Sequence, residues 1–110
     1  CVYAPNAVVY HHLSATGGGA LASYYVGRNT IWVIARNYPP RLLRRNLGRV
    51  VTAQAHIAVE ALRAWRGAAA RARLRGQLVG ALTCLRWGPM RRRLMRQRRA
   101  SDEEICAILT

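Results

Sequence analysis

Ala7-Val8-Val9-Tyr10-His11-His12-Leu13-Ser14-Ala15-Thr16-Gly17-Gly18-Gly19 is the stretch on which the fold reading turns. Its β-branched and aromatic run favours extended backbone, and three glycines after Ser14 and Thr16 remove side chains where the chain turns or approaches something closely. The order is strand, histidine, glycine loop, so two imidazoles stand at a strand's exit, where α/β proteins hold ligands and metals. His11 and His12 point to opposite faces if the strand persists through them, and His11 keeps the parity of Ala7 and Val9. The duller alternative is a surface histidine that makes one hydrogen bond. Cys1 to Tyr3 reads as another short strand, joined through Ala4-Pro5-Asn6, where Pro presets φ and Asn tolerates a turn. The prediction is an α/β fold, with two short N-terminal strands followed mainly by helices.

Working outward, Ala20 to Tyr38 is rich in residues that prefer strands but runs on without a turn signal, which predicts a helix. On it Leu21, Tyr24, Tyr25, Ile31, Trp32 and Ala35 share a stripe with Arg28 in its middle. A guanidinium there needs an anion or carboxylate, or lies at the stripe's edge with its head in water. Pro39-Pro40 breaks that helix and starts another, to about Trp65. Leu43, Leu47, Val50, Val51, Ile57, Ala58, Ala61 and Trp65 fall on one side of it, and Arg41, Arg45, Arg49, Thr52, His56, Arg63 and Arg66 on the other.

Gly67 permits a break before a helix from about Ala68 to Arg86, with Leu74, Leu78, Ala81, Leu82 and Leu85 aligned and Gly76 and Gly80 on another face. The Gly76-x-x-x-Gly80 spacing suits close packing between helices. Trp87-Gly88-Pro89 ends that helix, and Met90 to Arg99 is a short arginine-dense segment whose charges read as a solvated face. Ser101-Asp102-Glu103-Glu104 is a capping box opening a final helix from Asp102 to Leu109.

The chain has 110 residues and a net charge of +14, from 18 basic residues against 4 acidic ones. All the basic residues are Arg, a bias that GC-rich coding also produces, so the sign of the field says more than the guanidinium chemistry. Such a field favours phosphates, anionic lipid, nucleic acid or an acidic portion of the same protein. Cys1, Cys84 and Cys106 show no Cys-x-x-Cys spacing, which argues against zinc or a disulfide framework and fits a reducing compartment. No apolar run approaches the roughly 20 residues of a membrane span. The carboxylates Glu60, Asp102, Glu103 and Glu104 all lie in the helical half, so none clusters with His11 for a metal or a general base. Because Cys1-Val2-Tyr3 is already strand-like, the chain is expected to be a fragment.

Tyr3-Ala4-Pro5-Asn6-Ala7-Val8-Val9-Tyr10-His11, Ser14-Ala15-Thr16, Tyr25-Val26-Gly27-Arg28-Asn29 and Asn37-Tyr38-Pro39, in that order, resemble the C-terminal third of bacterial family 2 glycosyltransferases of the rhamnosyltransferase-like group. The likeness continues through Leu74-Arg75-Gly76, Gly80, Arg92-Arg93 and Gln97-Arg98-Arg99. It implies a C-terminal fragment of an α/β GT-A-type fold, with residues 1–38 closing the catalytic domain and residues 39–110 forming a basic amphipathic helical region. It also implies sugar transfer from a nucleotide-sugar donor to a glycan or lipid-linked acceptor. In that family a histidine after a late strand completes a divalent-metal site for Mn²⁺ or Mg²⁺, a place that His11 matches better than His12. The Arg-Asn pair near the donor diphosphate corresponds to Arg28 and Asn29. The Asp-x-Asp motif and catalytic carboxylate would belong to the missing N-terminal half, so this chain holds no catalytic residue and is expected to be inactive alone.

Two readings from other classes stand beside this one. An Arg-rich nucleic-acid-binding domain explains the charge but leaves His11 and the glycine loop without a role, so nucleic acid is the weaker partner. A peripheral membrane module explains the basic helix, with Arg41, Arg45, Arg49, Arg63 and Arg66 facing an anionic leaflet. It is compatible with transfer to a lipid-linked acceptor. The expected location is cytoplasmic, on the inner face of the plasma membrane.

Overall fold

The computed structural model describes residue 8 and residues 18–109. Five α-helices follow one another: α1 (Ala20–Asn37), α2 (Pro40–Arg63), α3 (Ala68–Thr83), α4 (Gly88–Gln97) and α5 (Asp102–Leu109), with a 3₁₀ turn, Cys84–Trp87, between α3 and α4. Among the described residues there is no strand, and the expected α/β class gives way to an all-helical one. The two predicted strands lie outside the described residues except for Val8, which is exposed and in no regular element. The strand-prone run Tyr24 to Ile34 is wholly helical. Propensity is a weak term, and here a long partner helix rather than a sheet edge covers one side of that run.

Local chemistry marks the helix ends. Gly19, at φ 75°, takes a left-handed backbone to enter α1, a conformation that the last of three glycines supplies without a Cβ clash. Pro40 occupies the first position of α2, where its missing N–H has no intrahelical acceptor. The capping box of α5 closes reciprocally, Ser101 N–H donating to Glu104 Oε2 at 2.6 Å and Glu104 N–H to Ser101 Oγ at 3.1 Å. The segment read as a solvated arginine run is largely the helix α4, entered through Gly88-Pro89.

The principal packing is α1 against α3. Their backbones nearly touch: a Cβ on Gly76 would lie 2.1 Å from Tyr24 O, one on Gly27 2.5 Å from Arg73 O, and one on Gly80 2.9 Å from Arg28 O. From Gly27 on Arg73, through Arg28 on Gly80, to Trp32 on Thr83, residue numbers rise together along both helices, so α1 and α3 run in the same direction and α2 is the crossover between them. Two polar links fix the register. Trp32 Nε1 donates to Thr83 Oγ1 at 2.9 Å, and the buried Gln77 binds α2 through Gln54 O and Oε1 at 3.1 and 3.0 Å.

These contacts turn the leucine stripe of α3 outward. Leu78 and Leu82 of α3 are 61 % and 73 % exposed, and Leu85, aligned with them but in the 3₁₀ turn, is 86 % exposed, while the glycine face is buried. On the apolar side of α2, Ala61 is buried and Leu43, Val50, Ile57 and Ala58 are half-buried, whereas Leu47, Val51 and Trp65 are exposed; in the α1 stripe Leu21 and Tyr25 are exposed and Tyr24, Ile31, Trp32 and Ala35 half-buried. Pro39, Leu42 and Ala61 are the buried apolar side chains among the described residues, and the radius of gyration is 16.8 Å, against about 13 Å for a compact domain near this size.

Candidate functional site: an arginine face and the cleft beside it

Arg41, Arg45 and Arg49 recur at four-residue spacing on α2, which sets them about 6 Å apart along the axis, and all three are exposed. The ion pairs among the described residues are Arg63 with Glu60 and Arg98 with Asp102. Glu104 is committed to its capping box, so three of the four carboxylates are engaged locally and the α2 arginines keep an uncompensated field. Arg63 lies further along the same exposed face but is partly neutralised by Glu60, and Arg66 is exposed in the turn after α2. Leu47 and Val51, on the apolar side of α2 away from these arginines, and Leu62 are also exposed.

Arg45 and Arg49 also border a cleft of about 610 Å³ between the end of α1, the first half of α2, and α5. Ile34, Leu42, Val50 and Ala53 give it an apolar interior. At its polar end Asn46 Nδ2 donates to the Tyr38 hydroxyl at 3.3 Å and to Leu42 O at 3.1 Å, leaving the hydroxyl proton without an acceptor among the described residues. Tyr38 and Asn46 were not anticipated as site residues. The available signal was Asn46, an amide on the inward side of α2 where apolar residues were expected.

Arg28 and Asn29 are brought together. Arg28 Nε and Nη2 both donate to Asn29 Oδ1, at 3.1 and 3.0 Å, and the guanidinium lies 4.7 Å from the Tyr25 ring and 4.1 Å from the Trp32 ring. Aromatic faces and a neutral amide thus do what a carboxylate was expected to do in the stripe, worth about 0.5–2 kcal/mol per ring. Trp32 is held in turn by Thr83 and by an edge contact with Trp87, with ring centroids 5.4 Å apart. The Arg28 head is therefore aimed by α3 and the 3₁₀ turn as well as by its own helix.

Arg91 has a structural task that its neighbours in the sequence do not share. Its Nη1 donates to Ala35 O at 2.8 Å and its Nη2 to Tyr38 O at 2.9 Å, satisfying carbonyls at the C-terminal end of α1. Partners more than 50 residues away leave no local mark on the sequence. His11, the expected metal ligand, and its alternative His12 lie outside the described residues; among the described residues no three His, Cys, Asp or Glu side chains form a metal-binding group. No described helix is long and apolar enough to cross a membrane. Comparison with family models, curated proteins and solved structures finds no match to this chain.

Proposed function

We propose that this chain is the basic helical part of a glycosyltransferase that moves a sugar from a nucleotide-sugar donor to a glycan or lipid-linked acceptor, working at an anionic membrane surface. The observation that carries the reading is the Arg28–Asn29 unit. These residues occupy the position of the Arg-Asn pair in the resemblance to family 2 glycosyltransferases, and their side chains form one hydrogen-bonded group. Asn29 takes two of the five guanidinium N–H groups, so the others can meet a diphosphate, and the aromatic frame lowers the entropy lost in doing so. Membrane attachment is supported by the exposed α2 arginines together with exposed apolar residues, Leu47 and Val51, on the other side of the same helix, the arrangement of a helix lying in the interface plane. A divalent ion, Mn²⁺ or Mg²⁺ through His11, belongs to the same proposal.

The test is release of nucleoside diphosphate from a panel of nucleotide-sugars with Mn²⁺. The 110-residue chain alone is expected to give none above a heat-treated control, since its four carboxylates, Glu60, Asp102, Glu103 and Glu104, all lie in the helical part and the Asp-x-Asp motif is not in this sequence. In a protein that joins this chain to an Asp-x-Asp-bearing half, turnover is expected, with Arg28→Ala raising KM for the donor by about tenfold, equivalent to roughly 1.4 kcal/mol. Turnover by the chain alone, or an Arg28 variant with unchanged donor KM, would overturn the reading.

A further inference from the structure

We propose that the cleft between α1, α2 and α5 binds the phosphate end of an amphiphile, its phosphate held by Arg45 and Arg49 and its apolar chain laid against Val50 and Ala53. The inference deepens the reading of α2 as membrane-facing, on which it rests, by naming the substrate class as a phosphate monoester or diphosphate carried on a hydrocarbon chain.

Three observations converge on this ligand. Arg45 and Arg49 have no ion pair or hydrogen bond among the described residues, although Arg63 on the same helix has found Glu60. Two unpaired guanidiniums one turn apart suit a tetrahedral anion, with about 6 Å between their helix positions. The cleft also adds a neutral hydrogen-bonding group, since the Tyr38 hydroxyl accepts from Asn46 and its own proton has no acceptor among the described residues. A phosphate oxygen accepts from it without competing for the arginines. The lining also carries the aliphatic side chains of Val50 and Ala53, which an inorganic ion would leave uncovered and a hydrocarbon chain would cover. Arg45 and Arg49 belong at once to the exposed face of α2 and to the cleft's rim, so the cleft opens where a membrane-bound amphiphile would enter.

The experiment titrates the 110-residue chain with octyl phosphate below its micelle concentration and, in parallel, with inorganic phosphate and with octyl glucoside, following ¹H–¹⁵N shifts of the Asn46 side-chain amide and the backbone amides of residues 45–53. Octyl phosphate is expected to saturate these shifts at least tenfold more tightly than inorganic phosphate, and octyl glucoside to give none. Ala53→Trp, which fills the cleft and leaves the charge unchanged, is expected to weaken octyl phosphate at least tenfold. Arg45→Gln with Arg49→Gln should do the same, while Arg41→Gln with Arg63→Gln, equal in charge removed, should change the affinity less than twofold. Equal affinity for inorganic and octyl phosphate, or equal losses in the two arginine pairs, overturns the proposal. If Ala53→Trp lowers helicity, the comparison of the two pairs decides alone. Vesicles and sugar transfer are absent from this titration, so its failure would remove the cleft and leave α2 as a membrane face, whereas failure to bind vesicles would leave an octyl phosphate site standing.

Discussion

Replacing Gly76 by Ala should destabilise the chain, while Gly48→Ala should stabilise it, though both exchanges add one methyl to a helix interior. Each gains about 1 kcal/mol of helix propensity. Gly48 is exposed on α2, and a Cβ there meets nothing within 4 Å, so the gain is kept. At Gly76 the added Cβ would lie 2.1 Å from Tyr24 O and 3.0 Å from Arg28 N. A carbon and a carbonyl oxygen come no closer than about 3.3 Å, so α1 and α3 must part by about 1 Å. Both atoms belong to a helical backbone, and neither can yield by changing rotamer. Overpacking of this kind costs up to about 3 kcal/mol, leaving a net loss near 2 kcal/mol, or roughly 10 °C in Tm for a chain of this size. Gly48→Ala should raise Tm by roughly 5 °C. Gly27→Ala, at 2.5 Å from Arg73 O, should fall next to Gly76, and Gly80→Ala, at 2.9 Å from Arg28 O, should be milder. Thermal unfolding followed by circular dichroism at 222 nm measures the series. A Gly76→Ala variant as stable as Gly48→Ala would refute the close packing of α1 on α3, and with it the placement of Arg28.

Arg91→Gln should cost about 1.5–3 kcal/mol, because it removes charge-assisted bonds to Ala35 O and Tyr38 O, whereas Arg92→Gln and Arg93→Gln should each stay within about 0.5 kcal/mol in urea unfolding. Ser101→Ala should cost about 1 kcal/mol and loosen α5, seen as faster amide exchange at Glu104 and Ile105 with no change in α1. The chain should co-sediment with anionic but not neutral vesicles and be released as salt shortens the Debye length. Each unpaired Arg contributes about 1 kcal/mol, so Arg41→Gln, Arg45→Gln and Arg49→Gln together should abolish sedimentation, and Arg63→Gln, already paired with Glu60, should change it least. In an active enzyme bearing this chain, His11→Ala should require more Mn²⁺ than His12→Ala; equal requirements would mean that strand parity chose the wrong imidazole.

What the sequence determined by itself is what acts within a few residues. Pro40 starts α2, the Gly19 backbone opens α1, Ser101 and Glu104 cap each other, and the surplus of Arg over carboxylate makes the surface cationic wherever the helices lie. Such signals are covalent or one helical turn in range, so reading them needs no partner. The inward face of α3 was decided only by tertiary structure. Periodicity aligns Leu78, Leu82 and Leu85 in one apolar stripe, but α1 packs on Gly76 and Gly80, where the absence of side chains lets two backbones meet. A hydrophobic stripe records what gains by leaving water, whereas a glycine face records how near another helix can come, and hydropathy does not register the second. The same limit concealed the roles of Arg91 and Tyr38. Arg91 completes the end of a helix more than 50 residues earlier, and Tyr38 joins the cleft through its hydrogen bond from Asn46, eight residues on in α2.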